Sequence, residues 1–82
     1  MLDLSMPHYY FDISFELDTV LDSEGMVLAD FPAVRLEACA LMMELSQDQQ
    51  RKGRSSNIAV TVRDAARLPV ASGKLTLEVR LL

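Results

Sequence analysis

One stretch of this chain, DFPAVRLEACALMMELSQDQQR from Asp30 to Arg51, repeats its apolar residues at three and four positions, and the segments on either side repeat theirs at two. A single helical period between strand periods constrains the fold strongly. Neither element can bury its apolar face alone, so the helix has to lie on a sheet. Asp30 is placed to cap the helix, its carboxylate accepting from the free amides of the first turn, and Pro32 sits where a missing N–H costs little. Arg51 and Lys52 suit the negative end of the helix dipole, and Gly53 is the expected terminator.

Steps of 100° per residue put Val34, Ala38, Leu41 and Leu45 on one line, with Phe31 and Met42 on its flank. This line is the expected core face. A second apolar line, Leu36, Cys39 and Met43, falls roughly opposite. Glu37, Glu44 and Arg51 separate the two on one side and Arg35 on the other. A helix resting on one sheet needs only one apolar stripe.

From His8 the chain alternates strictly, with Tyr9, Phe11, Ile13, Phe15 and Leu17 pointing one way and His8, Tyr10, Asp12, Ser14, Glu16 and Asp18 the other. This reads as a central strand. Thr19 to Leu28 reads as a turn, with Asp22, Ser23 and Gly25 as its formers, followed by a short antiparallel returning strand at Met26 to Leu28. After a polar loop, Asn57 to Arg63 turns Ile58, Val60 and Val62 inward. Asp64 to Val70, containing Pro69, reads as a connection. Lys74 to Leu82 reads as a last strand, with Leu75, Leu77, Val79 and Leu81 inward and Lys74, Thr76, Glu78 and Arg80 outward. The expected fold is α+β: ββαββ, a four-stranded antiparallel sheet with one helix on one face, the helix line meeting Phe11, Ile13, Val60 and Leu77. The other face is expected to be wet, with acidic positions of strand one paired to basic positions of a neighbour.

The chain is 82 residues long, enough for one domain. Residues 1–5, which precede a second methionine at Met6, are expected to be a flexible N-terminal extension to a domain spanning 6–82. A net charge of −4 disfavours general attraction to nucleic acid or anionic lipid. No apolar run approaches the ~18 to 20 residues that span a bilayer, and no basic-then-apolar leader is present. The expected location is the cytoplasm, which a single cysteine also fits.

The candidate chemical residues each have a plain structural reading. His8 lies two side chains from Asp12 along the same strand face, about 13 Å, too far to share a metal. Cys39 has only Arg35 near it to activate a thiolate, and it reads as a packing or interface residue. Asp12, Glu16, Asp18, Asp22 and Glu24 lack calcium-loop spacing and read as a solvated edge and turn. Arg51, Lys52 and Arg54 read as helix-end charges. Phosphate-cradling glycines, a Ser-His-Asp set and zinc spacing are missing, so neither catalysis nor a cofactor or metal is expected.

Leu36, Cys39 and Met43 are the expected protein interface, because a contiguous apolar patch on so small a chain marks an interaction site. A homodimer about a two-fold axis is the foremost account. A groove for another protein is the second. The third is that the helix is rotated, or residues 1–5 cover the stripe, and there is no patch.

Several motifs together resemble a known family. They are Met6-Pro7-His8-Tyr9-Tyr10-Phe11-Asp12, Asp22-Ser23-Glu24-Gly25-Met26, the Ala- and Glu-rich helix after Asp30, Ile58-Ala59-Val60-Thr61-Val62-Arg63-Asp64, Pro69-Val70 and the closing Leu-Thr-Leu-Glu-Val. The family comprises short uncharacterised bacterial proteins, a domain of unknown function common in rhizobia and related alpha-proteobacteria, that begin M-P-x-Y-Y-F-D. The resemblance covers Met6 to Leu82 and implies no activity. Relatives tend to carry a glycine in the turn after Val-Arg-Asp, where this chain has Ala65, Ala66 and Arg67. The functional expectation is a non-enzymatic interaction or regulatory protein that self-associates through the outer helix stripe. The alternative is an antitoxin-like, nucleic-acid-linked regulator, since the hairpin, D-x-E-G turn, strand and helix are laid out much as in HicB-type domains. That is an analogy of fold, which does not fix function.

Overall fold

A computed structural model describes residues 7–82, so the expectation for residues 1–5, including any cover they give the helix, lies outside the described residues. The elements run β1 His8–Phe15, β2 Asp18–Val20, β3 Met26–Val27, α1 Phe31–Arg51, β4 Ser56–Arg63 and β5 Pro69–Leu77. All strand pairs are antiparallel, in the order β2-β1-β4-β5, with β3 also on β1. The fold is α+β as expected, with five strands where four were expected. The returning strand expected at Met26 to Leu28 is β3, and the additional strand, β2, lies in the stretch expected to be turn. β2 pairs with Ile13, Ser14 and Phe15, and β3 pairs with His8 and Tyr9. Between them the chain bows outward as a loop, and the side chain of Asp22 takes the place of a strand.

β1 also stops earlier than its alternation suggests. Phe15 pairs with Asp18, leaving Glu16 and Leu17 as a two-residue turn in which Glu16 takes a φ of 55°. Leu17, expected inward, is fully exposed at the tip. A period of two runs straight through a tight hairpin turn, so periodicity alone places no end on the strand.

The last strand is displaced as well. It begins at Pro69 and ends at Leu77, not Lys74 to Leu82. The preceding turn is tighter than a polar connection implies. The Asp64 amide donates to the Leu68 carbonyl, and the Asp64 carboxylate accepts from the amides of Ala66 and Leu68. Arg67 adopts a φ of 68°, the conformation a glycine would take without strain. β5 then pairs with β4 until Leu77 meets Ser56, where β4 begins.

Asp30 caps the helix as expected, accepting from the Ala33 amide at 2.9 Å. At the far end Gly53, at φ 72°, donates to the Gln50 carbonyl and Arg54 donates to that of Gln49, the double closure of a Schellman cap.

The helix lies across β4 and β5, and its buried residues are Val34, Ala38, Met42, Ser46 and Gln49. The expected line through Leu41 and Leu45 is therefore rotated, by roughly half a residue step or about 50°. Leu41 and Leu45 are only partly buried, and Phe31 is 59% exposed. Gly73 of β5 lies beneath Met42. A Cβ there would lie 2.9 Å from Met42 Cε and 3.2 Å from Val60 Cγ1, so the absence of one lets Met42 settle onto β5. The core comprises Tyr9, Phe11, Val34, Ala38, Met42, Ile58, Val60 and Val62. Below it, Ser46 Oγ donates to Ser56 Oγ at 3.1 Å, and Gln50 Nε2 donates to Ser56 Oγ at 3.0 Å. This pairing satisfies the buried hydroxyls of Ser46 and Ser56, whereas the buried Gln49 Oε1 has no partner among the described residues.

Candidate interaction surface

The structure places Leu36, Cys39 and Met43 on the solvent side of α1, with Leu36 72% and Met43 59% exposed and the Cys39 thiol free. Because the helix is rotated, the stripe tilts toward β5. Cys39 lines an open groove between the helix and that strand, together with Phe31, Arg35, Met42, Gly73 and Lys74. The apolar surface thus continues from the helix shoulder into a furrow that ends at the edge of the sheet. A second groove lies on the opposite flank, where Leu41 faces Phe11, Ile13, Val20 and Leu21. Sequence periodicity identified the stripe but not the grooves, because they depend on where the helix rests.

The open face of the sheet is less solvated than its composition suggests. Asp12, expected on a wet edge, is buried, and Arg63 Nε binds its Oδ2 at 2.6 Å. The other oxygen of Asp12 accepts from the Asp22 amide at 3.0 Å. Asp22 in turn accepts from the amides of Phe11, Glu24 and Gly25 at 3.0–3.1 Å. One carboxylate therefore caps the loop and fills the gap in the edge of β1. Burial alone would raise the pKa of both groups. For Asp12, Arg63 and the Asp22 amide outweigh burial, and its pKa lies below the ordinary 3.8. For Asp22, the three amides and the nearby His8 do the same. The sequence signal for this arrangement was the D-x-E-G turn. It identified Asp22 as a turn former but could not reveal that its carboxylate reaches another strand.

His8, expected at the surface, is half-buried. Its Nε2 donates to the Glu24 carbonyl at 2.9 Å, and its ring stacks on Tyr10 with centroids 5.1 Å apart. Gly25 makes this contact possible, since at φ 71° its missing Cβ would stand 2.5 Å from His8 Nε2. The Arg67 guanidinium covers the other reach of Tyr10, 4.1 Å from the ring centroid. Of the basic helix-end cluster, Lys52 pairs with Asp48 at 3.1 Å. Among the described residues no three metal-ligating side chains converge, and no helix is long and apolar enough to cross a membrane.

No curated protein and no solved structure matches the chain. A family model does match, over residues 8–76, from the first residue of β1 almost to the last of β5. With that span, the chain belongs to the family described as Domain of unknown function (DUF6894).

Proposed function

We propose that this domain is a non-enzymatic interaction module that forms a homodimer through Leu36, Cys39 and Met43, and that it serves as a small regulatory or accessory subunit. The observation that carries the reading is the exposure of the stripe beside an open apolar groove on a folded helix. Leaving such a surface in water costs about 25 cal/mol per Å² that association would recover. At this length the core alone is small, so a shared interface adds materially to stability.

The polar groups of the sheet support an interaction domain over an enzyme. Asp12 is held by Arg63, Asp22 by three backbone amides, and His8 by a carbonyl. Each is engaged in holding the fold together. The reading extends to a bacterial cytoplasmic setting, and to alpha-proteobacterial relatives that share the M-P-x-Y-Y-F-D opening. The single cysteine and the motif resemblance support those two points respectively.

Light scattering of the purified chain at high micromolar concentration should give twice the chain mass, and Met43→Glu should halve it while the circular dichroism stays unchanged. A wild-type monomer at that concentration would remove the proposal.

A further inference from the structure

Among the described residues β5 is the terminal strand of the sheet, paired with β4 on one side and with nothing on the other. Its sequence pattern does not end with its pairing. Leu75 and Leu77 face the helix side, and Val79 and Leu81 continue that alternation past the point where β4 begins. Among the described residues no strand lies beside them. Val79 is 70% exposed and Leu81 94%, and Leu77 is already 41% exposed. A strand pattern that outruns its sheet needs a second strand to complete it.

We propose that the free edge of β5 pairs antiparallel with the same edge of a second copy, in the register centred on Thr76, so that segment 78–82 of each copy closes the helix–β5 groove of the other. The inference rests on the homodimer reading and names how the dimer is built. A two-fold axis normal to the sheet puts residues of the same face opposite each other, and this leaves few registers to compare. Centred on Thr76, Lys74 stands opposite the partner's Glu78 and Leu75 opposite the partner's Leu77. The partner's Val79 and Leu81 then come alongside Gly73 and Ala71.

The neighbouring registers are worse. Centred on Leu75, no opposite charges meet. Centred on Leu77, Lys74 faces the partner's Arg80, twice over. Opposite charges in direct cross-strand positions favour pairing and like charges oppose it. Among the described residues of one chain Glu78 pairs with Arg80, at 2.8 Å, in an exposed pair of little worth. Lys74 faces Ala59 across β4 and is free to take a new partner.

The groove fits the same register. Gly73 and Ala71 form its floor at the sheet edge, and Phe31, Cys39 and Met42 form its helix wall. Val79 and Leu81 from the partner would rest on that floor. Cys39 is then approached from the sheet side, where the rotation of the helix has tilted the stripe. Both helices lie on one face of a continuous sheet.

The test is site-directed cross-linking in a Cys39→Ala background. A residue on the two-fold axis meets its own copy, with Cα atoms about 4.5–5.5 Å apart, within disulfide reach. Thr76→Cys should therefore yield a covalent dimer on mild oxidation. Ser72→Cys should not, because its own copy would be about 26 Å away along the strands. Lys74→Glu and Glu78→Lys should each weaken the dimer by about tenfold, and the double variant should restore it.

A dimer by light scattering in which Thr76→Cys fails to cross-link, or in which the charge reversals have no effect, would overturn the edge pairing and leave self-association standing. A chain that is monomeric by light scattering would overturn both.

Discussion

Along one side of the sheet, β2 and β3 cover the two ends of β1, and the Asp22 carboxylate takes the Phe11 amide in the gap between them. Along the other, β5 runs for nine residues with no outer neighbour among the described residues, and its apolar alternation carries on beyond the sheet. Exposed edges invite pairing with other chains, and folded monomers blunt them with short strands, bends and charges. This domain finishes one edge by those means and leaves the other open. The open edge is the one that the proposed pairing of β5 with a second copy uses.

If the finished edge depends on Asp22, its loss should be the most damaging change. Asp22→Ala leaves three amides to find water, and we expect about 3 kcal/mol lower stability in urea unfolding. Faster hydrogen exchange at Phe11 should accompany the loss. A change below 1 kcal/mol would mean that the gap in β1 needs no cap.

On the open side, Gly73→Val should push Met42 and the helix away from β5, at about 2 kcal/mol. If the groove is also where a second copy sits, the same substitution should weaken the dimer more than it weakens the fold. A fold as stable as wild type would show that Gly73 does not set the helix position.

Acid should act on the finished edge first. Asp12 and Asp22 have folded pKa values below the ordinary 3.8, so the stability they contribute is present above that value and is lost as pH falls through the folded ones. The urea midpoint should drop below about pH 4. Asp12→Asn should cost about 1–2 kcal/mol near neutral pH and flatten that acid dependence. An unchanged acid slope in this variant would place the titrating groups elsewhere.

The smallest expected effect is at the turn that starts the finished edge. Glu16 holds a positive φ. Glu16→Gly should stabilise the fold by about 0.5 kcal/mol, seen as a small rise in the thermal midpoint. A loss would mean that the side chain contributes more than its backbone strain costs.

How much of this was legible varies with the element. β4 was almost fully readable, since Ile58, Val60 and Val62 alternate cleanly and all three are buried. The helix and both its ends were readable too, because Asp30 and Gly53 act through neighbouring backbone. β5 was read five residues late at its start. Pro69, Ser72 and Gly73 look like loop, yet Pro69 opens an edge strand and Gly73 admits the helix. Arg67 concealed the turn by standing where a glycine signal is usual. On the surface, the outer stripe was legible as a pattern and is exposed in the fold. The buried Asp12 was not, because an acidic residue in a strand's polar phase reads as solvated.

The sequence by itself determined the helix with its two caps and the inward faces of β4 and of most of β1, because period and capping are local properties of neighbouring residues. The tertiary structure alone decided that Met42 would be buried in preference to Leu41, that Asp22 would stand in for a strand, and that β5 would have a bare edge. Each of these depends on groups brought together from distant parts of the chain, and a periodic pattern carries no information about which neighbour will be there.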